Sequence, residues 1–147
     1  MERSKSFVKQ KKRRKNKVKE LTIIIIIVIL IFGGAFYTEH YLIKTSDEIL
    51  TKLKNLKQNV IAMNEEDNRE KVIEQSGEIM EKWDETEQAW AIIVLHDELD
   101  LIETSLTKMN SSIENGELIE CLEELENAMF LVDHIKQKEK FSLKNIF

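Results

Sequence analysis

A chain of 147 residues with no proline, four glycines and one cysteine lacks the turn vocabulary of a sheet protein and has no second thiol for an intrachain disulfide. It therefore reads as all-α and held by packing alone. The net charge of −5 hides a sharp division: residues 1–20 carry ten Lys or Arg against Glu2 and Glu20, while the rest carries twelve basic against twenty-five acidic side chains.

The basic tail, residues 1–20, has almost no aromatic residue among its cations, only Phe7. Lys and Arg close to a cytoplasmic leaflet gain about 1 kcal/mol each from anionic lipid. Anionic lipid is thus the partner expected for the tail, and no nucleic acid is expected.

Residues 21–43 follow as the expected membrane span. Between Lys19 and Glu39 the only charge is Glu20, and Ile23 to Ile31 is an unbroken run of Ile, Val and Leu. At about 0.3–0.6 kcal/mol each, those nine residues favour insertion by roughly 3–5 kcal/mol. The core from Leu21 through Ile27 and Ile31 to Tyr37, with only Thr22 polar, is 17 residues, or about 26 Å of helix. Continuing to Ile43 gives about 35 Å, enough for a hydrocarbon core of about 30 Å. The excess of Lys and Arg on the N-terminal side places that end in the cytoplasm and residues 44–147 outside the cell membrane. A cleaved signal peptide would use the small residues Gly33, Gly34 and Ala35. Against it, the basic tail is long and apolar character resumes at Phe36 and Tyr37, so a retained single-pass signal-anchor is expected. Gly33 and Gly34 are adjacent, not four apart, so the common dimerisation motif of membrane helices is absent.

Residues 44–147 are long enough for one extracytoplasmic helical domain. Leu42, Ile49, Leu53, Leu56, Val60 and Met63 recur at three-four spacing, with Ser46 at the vacant place, and predict a seam for another helix, as in a coiled coil. Asn64 to Asp67 reads as exit and re-entry, with Asn64 the N-cap. Val72, Ile73, Ile79, Met80 and Trp83 mark a second helix whose middle is weakened by Gly77. Asp84-Glu-Thr-Glu87 would open a new helix as a variant capping box; an unbroken helix through Trp83 and Trp90 is the alternative. Ile92, Leu95, Leu99, Ile102, Leu106, Met109 and Ile113 form the most regular stripe. The turn formers from Asn110 to Gly116 interrupt it, and Leu118, Leu122, Leu125, Met129 and Val132 carry the last helix. Short connections predict an antiparallel bundle of three or four helices. Trp83 and Trp90 read as core anchors, with exposure at a partner groove as the competing role. The C-terminal tail, with Phe141, Leu143, Ile146 and Phe147, is expected to fold back on the bundle, or else to dock on a partner or on lipid.

Chemistry is sparse. His96, Asp100 and Glu103 share one helical face and define an alternative function, a divalent-metal-dependent enzyme or ion sensor. Neither the two-His zinc motif nor an oxygen-rich calcium loop is present. The preferred reading is a polar stripe opposite the apolar seam. Cys121 lies among Glu120, Glu123 and Glu124, whose charge should raise its pKa and blunt it as a nucleophile. With no Gly-rich phosphate loop and no serine elbow, neither enzymatic activity nor a cofactor is expected.

With Trp83, Trp90, the string His96-Asp-Glu-Leu-Asp-Leu-Ile-Glu-Thr-Ser-Leu106 and the ending Lys140-Phe-Ser-Leu-Lys-Asn-Ile-Phe147, the chain resembles the single-pass membrane proteins of Gram-positive bacteria grouped as domain of unknown function 4363. The resemblance spans the apolar segment and nearly all that follows, and leaves the basic tail outside it. It implies a helical envelope protein with no catalytic residues to carry over, and a multi-pass membrane protein as a partner besides the bilayer. The function that follows is an interaction or scaffold module of the cell envelope.

Overall fold

The structure, a computed structural model, describes residues 2–62 and 67–144, with side chains for 17–62 and 69–138. Four helices follow in order: α1 (Glu2–Ile61), α2 (Asp67–Trp90), α3 (His96–Asn115) and α4 (Leu118–Lys144). The chain divides into two units, Met1–Thr38 and Glu39–Phe147, with α1 contributing to both.

In the first unit the residues from Leu21 to Phe32 are exposed on every face of α1. This is the one described helix long and apolar enough to cross a membrane, by length and composition.

In the second unit each helix buries one residue every three or four positions. The seams are Leu42, Ser46, Ile49, Leu53, Leu56 and Val60 in α1; Val72, Ser76, Ile79, Trp83, Thr86 and Trp90 in α2; Leu99, Ile102, Leu106, Met109 and Ile113 in α3; Cys121, Leu125, Ala128, Val132 and Ile135 in α4. A 3.5-residue repeat keeps each seam turned toward its neighbours along the whole helix. Side-chain pairs fix the arrangement. Asn59 Nδ2 donates to Gln75 Oε1 at 2.7 Å and Lys82 reaches Glu48 at 3.3 Å, so α1 and α2 run antiparallel. Ser76 Oγ donates to Asn110 Oδ1 at 2.7 Å between α2 and α3. Asn127 Nδ2 donates to Ser105 Oγ at 2.7 Å and Lys138 meets Glu98 at 2.9 Å between α3 and α4. Lys57 with Glu126 and Lys136 with Asp47 close the ring from α4 to α1. The result is an up-down-up-down four-helix bundle with a single core.

Several expectations are corrected. α2 passes unbroken through Gly77 and through Asp84–Glu87 to Trp90; Thr86 is buried with its hydroxyl on the Lys82 carbonyl, 2.7 Å away, so its surroundings favour continuation over a cap. Ile92 and Leu95 do not begin the α3 stripe: they lie in the α2–α3 connection, exposed, and their spacing matches that of α3 by coincidence. Ile73 and Ile119 are exposed as well. The turn formers after Asn110 do not break α3, because burial of Ser112 and Ile113 rewards another turn of helix. Only Gly116 ends it, at φ 78°, with Glu117 N–H on Ser112 O at 2.8 Å and Gly116 N–H on Ile113 O at 3.2 Å. That is a glycine-terminated helix end closed by two backbone bonds. α4 continues as helix to Lys144, so no fold-back turn precedes that residue. The Met63 seam position, the Asn64 cap and the side chains of Phe141, Leu143, Ile146 and Phe147 lie outside the described residues, as do those of the basic tail before Lys17.

Candidate functional site

Three places in the chain carry features that packing alone does not require. The first is the apolar run. Leu21, Ile27, Ile31 and Tyr37 are all exposed, and so large a continuous apolar surface marks a membrane or interaction site on any chain. Thr22 is no obstacle, since its hydroxyl returns to the Val18 carbonyl at 2.9 Å.

The second is the end of the bundle at which the chain enters from Glu39. Trp83 and Trp90 are fully buried there, meeting edge to face with centroids 5.8 Å apart and an interplanar angle of 84°. Trp90 Nε1–H donates to Thr45 Oγ1 at 2.9 Å, and that hydroxyl in turn donates to the Tyr41 and Leu42 carbonyls at 2.9 and 3.2 Å. The pair therefore has the anchoring role read from the sequence. One hydrogen bond ties the end of α2 to a single turn of α1. Leu42, placed by its sequence at the outer end of the expected span, is fully buried in the bundle core. Immediately after Trp90 comes Ala91-Ile-Ile-Val-Leu95, in which Ile92 is 81% and Leu95 65% exposed.

The third is the acidic face of α2 and α3. His96, Asp100 and Glu103 are exposed on α3, and Glu87 of α2 faces them. Burial pushes the Glu87 carboxyl above its ordinary range, Glu103, Asp84 and Asp100 push it further, and His96 acts against them. Loss of water is the larger cause, and repulsion between like charges adds to it. No three His, Cys, Asp or Glu residues among the described ones are grouped closely enough to hold a metal ion. Nothing in the structure adds weight to a metal enzyme or ion sensor. Glu87 was not legible as a member of this face because its place there depends on the pairing of α2 with α3.

Two other features have ordinary explanations. Cys121 is buried, and burial pushes its thiol up to about 11. The direction matches the sequence reading, but the cause is loss of water and not the neighbouring carboxylates. An open groove of about 580 Å³ between α1 and α2 is lined by Lys44, Asp47, Glu48, Thr51, Lys52 and Lys82. Its charges are already paired, Lys52 with Glu78 at 2.7 Å and Lys82 with Glu48 at 3.3 Å.

No curated protein and no solved structure matches the chain. The sequence profile described as a domain of unknown function, DUF4363, matches residues 36–146, from just before the bundle's first turn almost to the last residue. The match covers about three quarters of the sequence, and the chain belongs to the DUF4363 family.

Proposed function

We propose that this protein is a membrane-anchored helical module of the cell envelope whose bundle engages another envelope protein. The observation that carries the reading is the run Ile23 to Ile31, exposed on all faces of α1 and joined to a bundle that closes its own core. Lipid is the cover that such a run fits best. The cations of residues 1–20 favour a cytoplasmic N-terminus, with anionic lipid around them, and hence a bundle outside. The module acts by binding and not by catalysis: its one thiol is buried and shifted away from reactivity.

Two measurements on cells producing the full chain test this. Protease added outside should remove the bundle and spare the lysine-rich end; protection of the bundle, or recovery of the chain in the soluble fraction, overturns the topology. Crosslinking in the same cells, followed by mild solubilisation, should trap the chain with one recurrent membrane protein. A monomer that crosslinks to nothing overturns the scaffold role while leaving the anchor standing.

A further inference from the structure

We propose that the α3–α4 seam around Phe130 is the surface through which the bundle engages its partner, and that the partner lays a cationic, arginine- or lysine-bearing protein segment on it. The proposal rests on the binding role given above and adds to it the face used and the chemistry of what covers it. Three observations converge on it.

The first is an interval in one seam that polar bonds do not cross. Lys138 meets Glu98 at 2.9 Å and Asn127 Nδ2 donates to Ser105 Oγ at 2.7 Å; from Asn127 to Lys138 is about 16 Å of helix. Leu101 comes three residues after Glu98 and four before Ser105, on the side of α3 that meets α4. Leu131 and His134 stand likewise four residues after Asn127 and four before Lys138. Leu131 packs partly buried against the core, whereas Leu101 is 55% and its neighbour across the seam, Phe130, 66% exposed.

The second is how the aromatic side chain is held. Phe130 and His134, one turn apart, stack with ring centroids 5.9 Å apart and planes 20° from parallel. A ring steadied by its neighbour loses less freedom when a partner covers it. Its quadrupole attracts a cation placed over the ring, and Asp133, exposed three residues further on, is placed to bond that same cation.

The third is charge. Residues 96–135, from the start of α3 to Ile135 in α4, carry eleven carboxylates against a single lysine, Lys108. Of the lysines that follow, Lys136 and Lys138 are taken up by Asp47 and Glu98. The bundle part of α1, residues 39–61, carries four lysines against three carboxylates, so the negative potential gathers on the α3–α4 side. A second copy of this chain would set carboxylate against carboxylate, and an anionic lipid surface would be repelled in the same way. A cationic protein segment fits both parts of the surface: its charges meet the acidic rim while its apolar stems cover Phe130 and Leu101.

A photoreactive benzoylphenylalanine replacing Leu101 in the full chain, in the cells that naturally make it, tests the proposal. The same group replacing exposed Ile73 of α2 serves as the control face. Irradiation should trap one recurrent protein from 101 and not from 73, and sequencing of the joined peptides should place the contact in a stretch rich in Arg or Lys. Phe130→Ala and Asp133→Lys, each made in the 101-labelled chain, should lower the yield about threefold or more. Both side chains are exposed, so unchanged circular dichroism and emission from buried Trp83 and Trp90 certify the fold. Equal yields from 101 and 73, or a yield indifferent to both substitutions, overturn the proposal. So does a joined partner that is lipid, a second copy of the chain, or a segment without basic residues. If 101 traps nothing while general crosslinking still captures a membrane protein, the face is wrong and the scaffold role survives. If neither captures anything, the scaffold role fails and takes the face with it.

Discussion

Ser46 and Ser76 occupy equivalent seam positions on α1 and α2, yet their hydroxyls meet different conditions. Ser76 Oγ donates to Asn110 at 2.7 Å, whereas Ser46 Oγ is buried with no partner among the described residues. A buried, unpaired hydroxyl costs about 1–3 kcal/mol. Ser46→Ala should therefore stabilise the bundle by about 1 kcal/mol, while Ser76→Ala, which leaves Asn110 Oδ1 without its donor, should destabilise it by a similar amount. Urea unfolding of the two variants in detergent reads both signs at once, and a loss on Ser46→Ala would show that the hydroxyl has a partner. Glu87 gives a second residue-scale test. Its folded-state pKa lies above the unfolded value, so the folded state holds more protons between the two, and stability falls as pH rises through that window. Glu87→Gln should raise the melting temperature at neutral pH and lose its advantage in acid below the ordinary carboxylate range. High salt should shrink the difference, since part of the penalty is repulsion from Glu103, Asp84 and Asp100.

At the scale of the element, the two glycines of the bundle have opposite roles. Gly77 sits exposed in the middle of α2, where an added Cβ meets nothing within 4 Å; Gly77→Ala should stabilise by about 0.5–1 kcal/mol. Gly116 also has open space around it but holds φ at 78°, and Gly116→Ala should cost about 1–2 kcal/mol. Thermal melts that ranked the two the other way would contradict the assigned helix ends. The same elements explain what the sequence conveyed. The α1, α3 and α4 seams could be followed because apolar residues mark most of their positions. The α2 seam was obscured where Ser76 and Thr86 take core places, and its end at Trp90 was hidden by a loop as apolar as a helix face. Turn propensity after Asn110 lost to tertiary burial, which no local pattern reports. The acidic face of α3 was visible on its own helix, but its neighbour Glu87 emerged only from the packing of α2 on α3.

At the scale of the whole molecule, the division at Thr38/Glu39 separates a segment whose described side chains, from Lys17 on, bury almost nothing from one that carries the core. A chain beginning at residue 39 should be water-soluble and keep both its helical circular dichroism and its buried-tryptophan emission. Loss of cooperative melting in that fragment would show that the apolar segment contributes to the core. The family match begins at residue 36, so it takes in the bundle with the few residues that lead into it and leaves the lysine-rich start and most of the apolar run outside.

An even number of alternating helices has a geometric consequence for anyone adding a reporter to this protein. The polypeptide runs along the bundle four times in alternating directions, so the Lys144 end of α4 returns to the end at which the chain enters from Glu39. A fluorescent domain fused behind it would emerge at that same end of the bundle. The Gly116 turn, by contrast, stands about 40 Å from Lys144, the length of the 27 residues of α4 at 1.5 Å each, and an epitope inserted there would stand clear of such a fusion.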